Sequence, residues 1–346
     1  MAGDKRVLML GTGHIPIAKV TQGTPGLYRA EVNGSAQVQR MSLNARGNIA
    51  AIIFDARDPQ RVFVGAARDG VWRSLDGGAT WHPVHDGLLY KEVWSLVQHP
   101  STGDLYCGTQ PAEVFRSTDG GDTWSECEGL RNLLDTHDWS FPGPPFVAHV
   151  KHLSVTEADP QLVFGAVEEG WLIRSRDGGS TWRNLKIGTA FDSHTAHVMP
   201  DDPKVIVSTS GIGICRSEDG GDSFADANTG LQQRYMVHVA VHPDRPKVLF
   251  TAGAEVPPPF WQRPDGANAA FYRSSDQGRS WEPLHGGLPD HMHAAPRCIV
   301  ADPVDPETVY VGMSDGKVLV THDSGDTFST LVDDGLPAVT SITVSA

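Results

Sequence analysis

The sequence predicts an all-β fold, a seven-bladed β-propeller of four-stranded antiparallel blades in which residues 1–346 form one domain. Three observations predict it. The octapeptide Ser74-Leu75-Asp76-Gly77-Gly78-Ala79-Thr80-Trp81 returns at 117–124, 175–182, 217–224, 274–281 and 321–328, always as S/T-x-D-x-G-x-T/S-W/F. The same grammar of strands and turns surrounds each copy, and a ring can grow by adding one such supersecondary unit at a time. The leftover segments at the two ends make one further blade, with one strand at the C-terminus and three at the N-terminus.

The first complete repeat shows the grammar. Residues 49–55 form an apolar run, Asp58-Pro59 a turn, 61–66 a second strand, 70–74 a third, and 80–84 a fourth after the octapeptide. Five later repeats, at 92–127, 148–185, 194–225, 236–284 and 296–331, keep the order, so blades one to six lie within 46–331. Short Gly-Leu connectors, such as Asp86-Gly87-Leu88 and Asp334-Gly335-Leu336-Pro337, carry each outermost strand back to the axis. The C-terminal strand is 339–344, and the N-terminal ones are 6–11, 26–32 and 36–41. Gly26-Leu27-Tyr28-Arg29 copies the Gly70-Val71-Trp72-Arg73 lead-in without its octapeptide. A seventh blade shared by 5–41 and 338–346 closes the ring and removes free sheet edges. The 37 glycines and 24 prolines suit many short strands joined by tight turns.

These six copies resemble the Asp-box, or bacterial neuraminidase repeat, of sialidases, sortilin-type receptors, xyloglucanases and a photosystem assembly factor, all of them β-propellers. The resemblance implies that each box lies on the turn between third and fourth strands, remote from the functional face. Asp76, Asp119, Asp177, Asp219, Asp276 and Asp323 therefore read as structural. Each carboxylate can accept hydrogen bonds from its own turn, while the glycine permits positive φ and the aromatic packs between blades. Calcium binding is the lesser reading, because the acidic turns lack a D-x-D-x-D ligand spacing. The catalytic residues of sialidases do not carry over. No Arg-Ile-Pro motif is present, Tyr235 and Tyr272 are weak nucleophile candidates, and xyloglucanase-like enzymes use two propellers where one fits here.

Composition narrows the partners. A net charge of -14 without a Lys/Arg run argues against nucleic acid. No apolar stretch reaches membrane-spanning length, and the N-terminus shows no signal-peptide pattern. Cys107, Cys127, Cys215 and Cys298 are far apart with no CxxC, so buried free thiols and a cytoplasmic location are expected.

Function should sit where the copies differ, on the face built by the starts of the innermost strands and the loops joining second to third strands. Histidines concentrate there. They are His149 and His152, His194 and His197, His238, His291 and His293, with His14 in the loop Gly11-Thr12-Gly13-His14-Ile15-Pro16. The first two blades carry Ala51 and Ser95 where His152 and His238 align. Imidazoles converging from several blades suit a divalent transition metal, Zn, Fe, Mn or Cu, with ligands expected among His14, His152, His194, His238 and His293. His82, His85, His99, His242, His285 and His322 read as surface residues.

Two insertions, 131–146 and 254–269, fall on the same face. Their Pro-stiffened aromatics can wall a pocket, so Trp139, Phe260 and Trp261, with His149, are the expected substrate-binding residues. Glu113 and Glu255 are the expected general bases among Glu92, Glu113, Glu168, Glu169 and Glu255, and Arg297, with Arg46 and Arg234, is the expected anion holder. The leading expectation is a metal-dependent enzyme, a hydrolase or lyase or else an oxygenase, acting on a small-molecule substrate. A glycoside hydrolase and a non-enzymatic protein-interaction propeller are the alternatives, and oligomeric state stays open.

Overall fold

The computed structural model describes residues 6–14, 23–32, 37–242 and 244–345, apart from the side chain at 135. It contains seven separate four-stranded antiparallel sheets. In six of them the strands run in simple chain order. In the seventh, the C-terminal strand Ala338–Val344 is innermost and pairs with Arg6–Gly13, followed by Leu27–Val32 and Gln37–Arg40. That register runs from Leu8 opposite Val344 to Gly13 opposite Ala338, so the two termini close the ring. The first strand is two residues longer than the sequence suggests. The expected strand start at Ala36, and Ile15 and Pro16 of the His14 loop, lie outside the described residues.

Each sheet is covered on both sides by its neighbours, which is why the second strands are apolar almost throughout rather than alternating. Phe63 is fully buried against Val84, Leu105, Phe115 and Trp124 of its own and the following blade. Among the described residues, no helix is long and apolar enough to cross a membrane. Cys107, Cys127, Cys215 and Cys298 are unpaired, and burial pushes the thiols of Cys127, Cys215 and Cys298 up to about 12.

The octapeptide is a self-contained turn. Ser74 Oγ donates to Asp76 Oδ1 at 2.7 Å and accepts from the Gly78 amide at 2.8 Å, while Asp76 takes the Thr80 amide at 2.8 Å and its hydroxyl at 2.6 Å. Gly78, at φ +94°, lies where a side chain would be strained and would meet Met41. The turn also joins blades. Arg73 of blade one donates to the Gly120 carbonyl in the next box, and Arg116, Arg174, Arg216 and Arg273 repeat the device onto Gly178, Gly220, Gln277 and Ser324. Connectors add a second tie: the Trp124 amide donates to Asp86 O at 2.8 Å, and Trp281 and Phe328 do the same to Thr229 and Gly286. A Cβ on Gly87 would stand 2.1 Å from the Trp124 carbonyl oxygen, so that connector must be glycine.

Candidate functional site

In every blade the pairing of first and second strands slips by one residue near the start of the first strand. The slips lie between Ile49 and Ala51, Val93 and Ser95, Val150 and His152, Ser193 and Thr195, Met236 and His238, and Pro296 and Cys298. In the closing blade, Ser341 pairs with Gly11 and Val339 with Thr12, which leaves Thr340 out. A bulge of this kind bends the strand and re-aims the side chain of the unpaired residue. The seven unpaired residues are Ala50, Trp94, Lys151, His194, Val237, Arg297 and Thr340, and all line one cavity of about 360 Å³ on the axis. His14, Arg68, Glu92, Tyr235 and His238 complete much of its wall.

One side of this chamber is a polar network. Glu168, buried at the end of the second strand of blade three, receives Lys151 Nζ at 2.7 Å on Oε1, and His149 Nε2 lies 2.8 Å from Oε2. Burial alone would raise the Glu168 carboxyl, but Lys151 and His149 hold it well below the usual carboxylate range. His149 is fully buried, stacked on Trp94 at 3.7 Å with Phe141 edge-on at 5.0 Å, and burial lowers its basicity. His194 places Nδ1 2.5 Å from the Met236 carbonyl, so that nitrogen carries the proton. Its Nε2 faces Asp192 at 3.3 Å and Glu168 at 3.9 Å. Tyr235 packs against His194 at 4.8 Å and is backed by Trp261 at 6.2 Å. Burial, then Glu168 and Asp192, push its phenol well above the ordinary value.

His152, His197 and His238 come together from three consecutive blades. Their ligand atoms all lie within 4.8 Å of one another, and ring centroids are 4.5 Å apart for His152 with His197 and 5.8 Å for His152 with His238. Burial lowers His197 to about 4 and, with repulsion from His197 added, His238 to about 3; His152 is lowered well below its ordinary value for the same reasons. Near pH 7 all three rings are neutral, the form that ligates a metal. Tetrahedral bonds of 2.0–2.1 Å need nitrogens about 3.4 Å apart, so closing on an ion takes side-chain shifts of under about 1 Å. His152 Nδ1 accepts a long 3.4 Å hydrogen bond from the Ala196 amide, and giving it up costs about 1 kcal/mol.

The expected ligands divide. His152 and His238 meet as expected, whereas His194 groups with Glu168 and Asp192, a second set whose ligand atoms all lie within 4.8 Å of one another. His14 is exposed at the chamber mouth, its backbone tied to the Asn48 side chain. His293 is exposed beside His291, on a separate groove of about 280 Å³ next to blade six. The third clustered ring, His197, lies two residues beyond the bulge-flanking position that His152 and His238 share.

Several expected wall and base residues sit elsewhere. Glu113 does not line the chamber; it is buried on the flank of blade two beside Arg131 and Glu126, because its loop turns away from the axis. Glu255 is exposed and bonded to Asn268, also outside the chamber. Trp139 packs on the core of blade three, and Phe260 stacks under Arg263. Trp261 acts one layer back: its Nε1 donates to Val256 O at 2.7 Å, and its ring supports Tyr235 and the Arg297 guanidinium, 5.5 Å away. His149 is likewise a positioning group, sealed behind Trp94. His99 and His242 are buried, not surface residues. His99 Nδ1 accepts from the Thr102 amide at 3.2 Å with Nε2 reaching Thr156 O at 3.0 Å, and His242 Nδ1 accepts from the Asp244 amide.

Sequence reasoning missed Trp94, Lys151 and Tyr235 as chamber residues. The signal was present: the seven unpaired positions are the most varied of the innermost strands, preceded by an apolar residue in every blade but the fourth, which has Ser193, and followed mostly by small ones.

No family model matches this chain. The curated xyloglucanase Xgh74A of Acetivibrio thermocellus is 24% identical over 140 residues, 36% of this chain, and the chain spans only 16% of that relative's length. Among solved structures, the GH74 xyloglucanase from Xanthomonas campestris superposes with a TM-score of 0.62 at 16% identity, over 83% of this chain and 45% of its own. YCF48 from Cyanidioschyzon merolae superposes with a TM-score of 0.59 at 15% identity, over 87% and 89%. At these identities the likeness is one of fold.

Proposed function

We propose that this protein is a metal-dependent enzyme that holds a small organic substrate in the axial chamber and acts on it as a hydrolase or lyase, or as an oxygenase if the ion is redox-active. The observation that carries the reading is the meeting of three neutral imidazoles, His152, His197 and His238, beside a cavity walled by all seven blades. Zn, Fe, Mn and Cu all accept such a set. A divalent ion on three imidazoles would supply Lewis acidity and a bound water acidified toward neutral pH. The chain's own groups do the rest. Tyr235 and Trp94 give the chamber apolar walls, and Arg297 orients the substrate. His194, with Nδ1–H anchored on Met236, leaves Nε2 to accept a proton from a substrate atom, with Asp192 and Glu168 beside the charge so formed. The unpaired thiols support a reducing compartment, the cytoplasm.

The test is elemental analysis of protein purified without a His tag. One equivalent of a transition metal is expected, lost in His152→Ala and His238→Ala while far-UV circular dichroism is unchanged. A metal-free protein that turns over substrate, or metal retained in the double variant, would overturn the reading.

A second reading, a glycoside hydrolase, is favoured by the curated xyloglucanase relatives. Release of reducing ends from xyloglucan by metal-free protein would establish it in place of the first. Stoichiometric capture of a partner protein by a metal-free chain without activity would point instead to an interaction propeller.

A further inference from the structure

The chamber carries a charge pattern opposite to that of the molecule. The chain has a net charge of -14, yet among the described residues the lining includes Arg68, Lys151 and Arg297 with one carboxylate, Glu92, and Asp192 stands behind His194. Lys151 is already neutralised by Glu168. Arg297 is not neutralised: among the described residues no carboxylate pairs with it, and its Nε is buried without a hydrogen-bond partner. A guanidinium taken partly out of water without a counter-charge is costly unless something supplies the missing acceptors. Its position is built rather than incidental. The bulge at 297 aims the side chain at the axis, and Trp261, itself locked by its hydrogen bond to Val256, lies under the guanidinium. Arg68, at the same chamber, is held at φ +84°, a conformation that a non-glycine residue keeps only when its surroundings impose it.

We infer that the substrate is a compact organic carboxylate, with its carboxylate on the Arg297 guanidinium and its body against Trp94 and Tyr235. This deepens the reading of the chamber as the substrate site and does not depend on the metal. A planar carboxylate matches the guanidinium fork and would satisfy the orphaned Nε–H. The cavity of about 360 Å³ suits a molecule of roughly one ring.

The experiment is isothermal titration calorimetry of benzoate, and of its neutral isostere benzamide, into metal-stripped protein. Benzoate is expected to bind at least about 10-fold more tightly than benzamide, a difference of about 1.4 kcal/mol. Arg297→Gln should abolish that preference and Arg297→Lys should keep part of it, since ammonium retains the charge but not the fork. Glu92→Gln, which removes the one lining carboxylate and leaves Arg297 intact, should tighten benzoate several-fold. Equal binding of benzoate and benzamide, an Arg297→Gln protein with unchanged benzoate affinity, or no benzoate binding at about 20 mM would each overturn the inference. Because metal is stripped throughout, the titration reads the carboxylate site alone: elemental analysis finding no metal in the purified protein would sink the metal centre, and benzoate binding that follows Arg297 would leave the carboxylate site standing.

Discussion

Replacing Glu113 with Gln tests whether this carboxyl is a strained structural group or a working base. Its side chain is buried between blades two and three, Oε2 has no hydrogen-bond partner, and Arg131 is no nearer than 3.7 Å. Burial, with repulsion from Glu126, raises the carboxyl from 4.5 to about 7 against the weaker pull of Arg131. The folded protein thus keeps a proton that the unfolded chain gives up near 4.5. Stability is therefore whole below pH 4.5, declines as pH rises to about 7, and is flat above. At about 1.36 kcal/mol per tenfold change in proton affinity the ceiling on this loss is about 3 kcal/mol. Screening through half-exposed Arg131 brings the expected figure to about 2 kcal/mol. Glutamine is neutral at every pH, so Glu113→Gln should match the parent at pH 4.5 and exceed it by about 2 kcal/mol at pH 8. Urea unfolding of both proteins at the two pH values reads the difference directly. A variant that is equally or less stable at pH 8, or one whose advantage is the same at both pH values, would refute the reasoning.

Three further outcomes follow from other parts of the ring. The hydroxyls of Thr80 and Thr123, then their amides, hold Asp76 and Asp119 at about 2, and Asp177, Asp219, Asp276 and Asp323 shift the same way. Their contribution is present above about 3.8 and is lost as pH falls through about 2, so the unfolding midpoint should drop steeply in that window, less so in Asp119→Asn; a flat profile there would count against the turn as a stabiliser. Lys151→Met strips Glu168 of its cation and should cost about 3 kcal/mol in urea, with Lys151→Met/Glu168→Leu recovering much of it; a neutral single variant would show that His149 alone suffices. Removing residues 338–346 uncovers the edge of Arg6–Gly13 and the core around Leu8, Leu10 and Tyr310, so light scattering should show association, whereas a monomeric, equally stable product would contradict closure by this strand.

How much of this was legible from the sequence depends on where each residue sits relative to the repeat. The octapeptide keeps its spacing because one turn must satisfy the same hydrogen bonds in every copy, so six blades could be counted from it, and the divided seventh followed from leftover strands. The face bearing the histidines followed from strand order, and His152 and His238 were found because they align with each other and break the pattern of Ala51 and Ser95. The chamber itself was not legible. A strand is read with a period of two, and one unpaired residue in the innermost strand moves everything before it to the other side. Lys151 and Trp94 therefore look like flank positions until the slip is seen, and His194 looks equivalent to His152 although one is the unpaired residue and the other follows it. Glu113 and Glu255 failed for a different reason: strand order assigns a loop to a face but not to a distance from the axis. The box and the bulge therefore divide the blade between them, the box tying outer strands to the next blade largely through backbone carbonyls and amides, which do not depend on the side chain there. The bulge turns one freely varied side chain per blade toward the axis, so chemistry can change at the centre without disturbing the contacts that hold the ring.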